Sequence, residues 1–155
     1  MLPQRKHLPH ETPSWVPSGA IRFITIACEP RGHNHLAHPN IARAIQQSAA
    51  HNQTKLIWWI HLFLIMPDHL HILLAFHPSQ SIQAAITNWK RYIATTQNIN
   101  WQRNFFEHRI RDELSFQEKW HYIRANPVRA GIAATPDEWQ YQWTGDDRLP
   151  GEPLR

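Results

Sequence analysis

The order of apolar and polar positions predicts four strands in this chain. Segments 21–27, 69–76 and 105–111 alternate between the two kinds of residue, which is the pattern of strands with one face in a core. Segment 56–65 is apolar on both of its alternating faces, so we expect a strand that is buried on both sides. Met66-Pro67-Asp68 predicts a turn that joins this strand to the next as an antiparallel hairpin.

A period of three to four residues predicts three helices. They are expected over residues 39–51, 81–97 and 115–125. Ser115 and Glu118 have the spacing of a capping box at the start of the third helix. Asn126 before Pro127 is expected to end that helix, because proline disfavours helical geometry in the residue that precedes it.

The resulting order is strand, helix, strand, strand, helix, strand, helix. One antiparallel β-sheet with helices packed on it accommodates this order, so we expect an α+β sandwich related to the ferredoxin-like arrangement. Residues 1–20 carry four prolines and no periodicity, and we expect an extended N-terminal arm laid over the domain, with disorder as the alternative. Residues 21–145 form the single predicted domain, and residues 146–155 form a C-terminal tail.

Two histidines on the strand after the turn are candidate metal ligands. His69 and His71 lie two positions apart in MPDHLHILLAF, so their side chains share one face of the sheet on neighbouring pleats. Each imidazole can give one nitrogen to a divalent ion. The alternative is that the two histidines are ordinary polar side chains of a strand and bind no metal.

A tyrosine and an asparagine in the last predicted helix form the second candidate pair. Tyr122 and Asn126 stand four apart in HYIRANP, which places them on one helical face. A tyrosine oxygen can attack phosphorus, and an amide oxygen can be a metal ligand. Packing for Tyr122 and a helix cap for Asn126 are the structural alternatives.

Composition narrows the function classes only slightly. The formal net charge of +4 favours a polyanionic partner, and the single cysteine, Cys28, excludes an internal disulfide and suits a buried position in a reducing compartment. His33, His35 and His38 lie in a loop without ordered ligand spacing, and we interpret them as solvated. No apolar block of a signal peptide or membrane span is present, so we expect a cytoplasmic protein.

Three motifs together resemble a known family. MPDHLHILL, WQRNFFEHRIRDE and YIRANPVRAGI, in this order, look like the IS200-like, HUH-type single-tyrosine transposases, and are most similar to the branch of REP-associated tyrosine transposases. The resemblance covers roughly residues 20–145. It implies a ferredoxin-like fold and a nicking and joining enzyme for single-stranded or hairpin DNA of the repeated extragenic palindromic (REP) type, working at the bacterial nucleoid.

The resemblance also implies roles for individual residues. His69 and His71 match the metal pair, Asn126 matches the third ligand of a Mg or Mn ion, and Tyr122 matches the nucleophile that holds the 5′ end of the cut strand. Tyr92, in KRYIATT, is the rival nucleophile; Tyr122 is preferred because its segment carries the matching pattern.

The candidate DNA contacts are basic side chains distributed over several elements. We expect about half of them to be solvated surface instead, and Trp101 to be either a stacking surface for a base or a core residue. The basic candidates are Arg5, Lys6, Lys90, Arg91, Arg103, Arg109, Arg111, Arg124 and Arg129.

Three functions of different classes remain open at this stage. The first is the nicking and joining enzyme, the second a hairpin-binding regulator of the same fold with weak turnover, and the third a metal-binding structural domain. The three motifs in order favour the first two over the third. A monomer is expected, although a dimer in which Tyr122 completes the partner's site is an alternative.

Overall fold

A computed structural model describes residues 13–16 and 20–144. The predicted fold class is confirmed: the described residues form one five-stranded antiparallel sheet, with helices on both of its faces. Most of the predicted arm, all of the predicted tail, and the candidates Arg5 and Lys6 lie outside the described residues.

The elements follow the predicted order, with short additions at the end. They are β1 (Ile21–Ala27), α1 (Pro39–Thr54), β2 (Trp58–Ile65), β3 (His69–Phe76), α2 (Ile82–Gln97), β4 (Phe106–Ile110), α3 (Glu113–Arg124), α4 (Asn126–Arg129), a 3-10 turn (Pro136–Glu138) and β5 (Gln142–Trp143). The strand order in the sheet is β4-β1-β3-β2-β5. The β1-α1-β2 and β3-α2-β4 units interleave in this order, which is the split arrangement of a ferredoxin-like fold.

Helices α1 and α2 cover one face of the sheet. Ile24, Ile72 and Leu74 from the strands are buried there against Ile45 of α1 and Trp89 of α2. The Trp89 indole N–H donates to the Ser48 hydroxyl at 2.8 Å, which ties the two helices together.

Helix α3 covers the other face. Phe23 of β1, Leu64 of β2 and Leu73 of β3 are buried against Ile123 and Trp120 of α3. Because side chains alternate along a strand, His69 and His71 share this face with Leu73. The histidine pair and the last long helix therefore meet on one side of the sheet.

Three predicted boundaries were wrong: the end of α1, the start of β2 and the start of α3. Strand β2 begins at Trp58 instead of position 56, because α1 continues to Thr54 and the chain turns at Leu56, which has φ 60°. Helix α3 begins two residues early: its cap is Asp112, whose carboxylate accepts the Ser115 N–H at 2.7 Å. An aspartate is as good a cap as a serine, so the capping-box pattern chose the wrong residue.

The Asn126-Pro127 pair does not stop the helical path. After one residue, Ala125, the chain enters α4 with Pro127 in its first turn, where a missing N–H costs nothing. The Arg129 N–H donates to the Ala125 carbonyl and the Ala125 N–H to the His121 carbonyl, so α3 and α4 are nearly continuous. This continuity preserves the predicted helical spacing between Tyr122 and Asn126.

No helix in the described ranges combines the length and apolar character that crossing a membrane requires.

Candidate active site

His69 and His71 lie side by side on β3, under α3. Their ring centroids are 4.7 Å apart at an interplanar angle of 77°. His71 is opposite Thr25 in the ladder with β1, and His69 is opposite Ala27. The Phe23 ring stacks on His71 at 5.4 Å, which fixes one side of that imidazole.

Each of the two imidazoles has its Nδ1 held by a neighbour. Nδ1 of His69 is 2.7 Å from an Asp68 carboxylate oxygen, and Nδ1 of His71 is 2.9 Å from the Thr25 hydroxyl. An ionised Asp68 only accepts, so His69 donates through Nδ1–H and keeps the Nε2 lone pair for a ligand. A metal-binding histidine commonly has its second nitrogen held in this way.

Asp68 is itself held in place by the loop after β1. Its second oxygen accepts the Arg31 Nε–H and the Gly32 N–H, both at 2.9 Å. Burial raises the pKa of Asp68, but the hydrogen bonds from Gly32, His69 and Arg31 outweigh it and hold this pKa below the usual value. The carboxylate is therefore ionised at neutral pH and continues to accept the hydrogen bond from His69.

Burial keeps both histidines neutral. It lowers the pKa of His71 to about 3, with the nearby His69 and Arg129 adding to the effect. Burial also lowers the pKa of His69, although the adjacent Asp68 opposes this. Metal ions bind the neutral form of imidazole, so the pair suits a divalent ion across the neutral pH range.

Helix α3 places Tyr122 above the histidine pair. The Tyr122 ring centroid is 6.1 Å from that of His71 and 6.3 Å from that of Phe23, and the side chain is 47% exposed. The Arg129 guanidinium lies 4.4 Å from the ring centroid, and its N–H donates to the Tyr122 carbonyl at 2.9 Å. The Lys119 ammonium lies 5.5 Å from the same centroid. An accessible phenol thus stands beside the pair, with two cations over its ring.

Asn126 has the chemistry of a third metal ligand. One atom of its side-chain amide, placed as Nδ2, is buried and has no hydrogen-bond partner. The oxygen and nitrogen of an amide exchange on a flip, so the buried atom can equally be the oxygen that a metal accepts. Among the described residues no three His, Cys, Asp or Glu side chains group to hold a metal. A third protein ligand at the histidine pair would therefore be of another type, and the side-chain amide of Asn126 is a candidate.

Tyr92 and Tyr141 lie elsewhere. Tyr92 is on α2, the helix that packs on the opposite face of the sheet, and its side chain is 57% exposed. Tyr141 precedes β5, and its ring contacts Trp139 at 5.4 Å. Of these three tyrosines, Tyr122 is the one that shares a face with the histidine pair.

The structure separates the basic candidates into two groups. Lys90 is 8% exposed and its ammonium donates to the carbonyls of Gln102 and Arg103 at 2.9 and 3.3 Å, so the surface role predicted for it was wrong. Arg124 bonds to Asp137 and Gln142. The exposed candidates are Arg91, Arg103, Arg109, Arg111 and Arg129.

Trp101 and the loop histidines have structural contacts. The Trp101 indole N–H donates to the Lys90 carbonyl at 3.0 Å and its ring packs on the core, which favours the core alternative. His35 and His38 each bond to a backbone carbonyl of the same loop at 2.8 Å. The solvated-loop interpretation holds for His33 and His38, which are exposed.

Four residues of this site were not found from the sequence. Thr25 contacts His71 across the sheet, Arg31 contacts Asp68 from the loop after β1, and Lys119 lies one helical turn before Tyr122. The fourth, Asp68, was interpreted only as part of a turn, although a carboxylate next to a candidate metal ligand is a usable signal.

Comparison with known proteins gives one family. Residues 24–128 match the sequence profile of the family described as transposase IS200 like. A Haemophilus influenzae protein assigned as a REP-associated tyrosine transposase is 25% identical over 142 residues, covering 79% of this chain and 78% of that protein. An uncharacterized H. influenzae protein is 28% identical over 147 residues, covering 68% of this chain and 79% of that protein.

Solved structures share the fold. A REP-associated tyrosine transposase bound to a REP hairpin superposes with a TM-score of 0.70 at 20% identity, covering 94% of this chain and 98% of the other. A Deinococcus radiodurans protein described as a transposase superposes with a TM-score of 0.52 at 13% identity, covering 77% and 95%. The family match spans the histidine pair, Tyr122 and Asn126 as well as most of the sheet, and this chain belongs to the IS200-like transposase family.

Proposed function

We propose that this protein is a divalent-metal-dependent enzyme that nicks and rejoins single-stranded DNA beside REP-type hairpins, with Tyr122 as the nucleophile. The observation that carries the proposal is the position of Tyr122. Its exposed phenol lies on the face of the sheet that holds His69 and His71, with 6.1 Å between the Tyr122 and His71 ring centroids. Family membership supports the reaction class, and a structural neighbour bound to a REP hairpin supports the substrate class.

The residues have separate tasks in the proposed reaction. His69, His71 and Asn126 would hold a Mg or Mn ion, which supplies Lewis-acid polarisation of the scissile phosphate when bound. Tyr122 Oη attacks phosphorus and its proton passes to solvent, while the bond from phosphorus to the 3′ oxygen breaks and that oxygen takes up a proton from solvent. The products are a 5′-phosphotyrosine and a free 3′-OH. Attack by a 3′-OH on the phosphotyrosine reverses the step and joins strands without an external energy source.

Two cations beside Tyr122, the exposed Arg129 and the partly buried Lys119, suit the charge of the substrate. Lys119 and Arg129 lie over the Tyr122 ring, and within the described ranges neither forms an ion pair with a carboxylate. Both are therefore available to phosphate oxygens next to the bond that Tyr122 attacks. Arg91, Arg103, Arg109 and Arg111 remain candidates for contacts further along the DNA.

A single chain contains every residue of the proposed site. Tyr122 lies beside His71 of the same molecule, which is the arrangement expected if each monomer has its own site. This supports the proposal of a monomer.

The first prediction concerns covalent capture of DNA. With a labelled hairpin bearing a single-stranded extension, in Mg or Mn, we expect a DNA–protein adduct on a denaturing gel for the wild type. Tyr122→Phe should form none, because it lacks the oxygen that bonds to phosphorus, and its thermal unfolding should stay near that of the wild type, since the side chain is half exposed.

Tyr92→Phe is the matched control and should form the adduct normally, because it removes a similarly exposed phenol from the opposite face. An adduct that survives Tyr122→Phe but not Tyr92→Phe would assign the nucleophile to α2 instead. A retained gel shift without any adduct in the wild type would favour the second candidate, a hairpin-binding regulator, which the intact fold and exposed basic residues also allow.

A further inference from the structure

An exposed aromatic side chain lies on the active-site face, outside the set of proposed catalytic residues. Phe106 is the first residue of β4, the edge strand of the sheet, and it is 56% exposed. It pairs with Thr25 in the ladder with β1, so it shares a face with Phe23 and His71. An apolar ring that is more than half exposed contributes little to the core, and its place beside a proposed site suggests a ligand.

The Phe106 ring continues an array of rings that leads to the nucleophile. Its centroid is 5.9 Å from that of Phe23, at an angle of 69°. Phe23 is buried and contacts both His71 and Tyr122. The steeply angled contact with Phe23 holds Phe106 in position, and the Phe106 side chain is still more than half exposed. The outer ring of the array is therefore the one that a ligand can reach.

The charge beside this array of rings suits a nucleic acid. The Lys119 ammonium lies 5.2 Å from the Phe23 centroid and 5.5 Å from the Tyr122 centroid, and Phe23 is the ring that Phe106 contacts. A cation next to an exposed ring matches a nucleotide, whose phosphate is anionic and whose base has an apolar face. An unpaired base has such a face free, whereas a base inside a duplex is already stacked.

We propose that Phe106 is a stacking platform for an unpaired base of the single strand adjacent to the bond that Tyr122 attacks. The platform gives the extension beside the hairpin a fixed path across the sheet, and the phosphate of the stacked nucleotide falls near Lys119. The position of the cut rests on the proposed function, whereas the binding of the base does not.

Binding without cleavage tests the platform. The probe is a stem–loop oligonucleotide with a single-stranded extension, in which 2-aminopurine replaces each unpaired base in turn, and a chelator prevents cutting. We expect 2-aminopurine fluorescence to be quenched at one or two positions on binding. Phe106→Leu keeps an apolar side chain but removes the ring, and should weaken binding by about fivefold or more while restoring the fluorescence at those positions.

Three comparisons make the result specific. Phe106→Trp should restore affinity and quenching, because it returns an aromatic face. A blunt stem–loop without the extension should bind the wild type and Phe106→Leu equally. Tyr92→Leu, which removes a similarly exposed ring from α2, should bind both probes as the wild type does. Thermal unfolding of Phe106→Leu should show an intact fold.

Several results would overturn the platform. These are equal affinity of Phe106→Leu and the wild type for the extended probe, an equal loss for the extended and blunt probes, or a Phe106→Trp variant no better than Phe106→Leu. The covalent capture assay reads the proposed function separately. If the wild type forms no adduct but Phe106→Leu still weakens binding of the extended probe, the nicking activity is rejected and the platform is kept. If the wild type forms the adduct but Phe106→Leu binds the extended probe as the wild type does, the platform alone is rejected.

Discussion

At the scale of single residues, the orientation and tautomer of the two histidines depend on the groups that hydrogen-bond to their Nδ1 atoms. Asp68 and Thr25 each hold one Nδ1, and the Asp68 carboxylate is fixed in turn by Arg31 and by the Gly32 backbone. These contacts set which nitrogen of His69 is free and how the ring is turned. The metal affinity of the proposed site should therefore depend on a residue that does not touch the metal.

Asp68→Asn tests this dependence. The amide lacks the charge that orients His69 and cannot accept from Arg31 and Gly32 as the carboxylate does, so we expect Mn²⁺ affinity to fall about 10- to 100-fold, measured by titration calorimetry without DNA. Glu107→Gln is the control, because it also removes a carboxylate paired with an arginine, Arg22, but on the opposite face. Equal affinity of Asp68→Asn and the wild type would show that His69 needs no such orientation.

Burial of His71 predicts a pH-dependent stability of the metal-free protein. The pKa of His71 is lowered from 6.5 to about 3, so between these values the unfolded chain binds a proton that the folded chain does not. The free energy of unfolding should therefore decrease as the pH falls from 6.5 towards 3, and His71 should contribute no pH dependence above 6.5.

His71→Gln removes this titration. Urea unfolding with a chelator, from about pH 7 to about pH 4.5, should show a smaller loss of stability in His71→Gln than in the wild type. His121→Gln, which removes an exposed histidine, should retain the wild-type slope. Parallel pH profiles for His71→Gln and the wild type would mean that His71 takes up its proton within the folded protein.

At the scale of elements, two adjacent basic residues of α2 have different environments. Periodicity placed Lys90 and Arg91 on the helix but could not show that the chain after α2 folds back over Lys90. The Lys90 ammonium satisfies the carbonyls of Gln102 and Arg103, whereas Arg91 is exposed. Lys90 therefore holds the loop after α2 to the helix, whereas Arg91 is accessible for a contact with DNA.

Lys90→Met and Arg91→Met form a matched pair of variants. Lys90→Met leaves two carbonyls without their donor, so we expect the free energy of unfolding to fall by about 1–3 kcal/mol with DNA affinity unchanged. Arg91→Met should leave stability unchanged and, if Arg91 contacts a phosphate, reduce the salt-dependence slope of DNA binding by about 1. Urea unfolding and fluorescence anisotropy over a salt series measure both. A reduced salt slope in Lys90→Met would return Lys90 to the DNA interface.

At the scale of the whole molecule, the two faces of the sheet have different tasks. Helices α1 and α2 close one face with a large apolar cluster. On the other face the described packing comes from α3, Trp139 and Val16, and near the ends of β1, β3 and β4 this face holds His69, Tyr122 and Phe106. The face under α1 and α2 is the larger part of the core, and the face under α3 leaves the site of the proposed reaction open to solvent.

The sequence by itself determined the fold class, the order of the main elements and the two candidate pairs, because apolar periodicity and short motifs are local properties of a chain. It could not determine the short strand β5 or the start of α3, since two residues carry no period and several polar side chains can cap one helix. Only the tertiary structure decided that Tyr122 lies on the face of the histidines and Tyr92 on the other. It alone also decided that Thr25 and Phe106 lie beside the site, because strand pairing brings these residues together from distant parts of the chain.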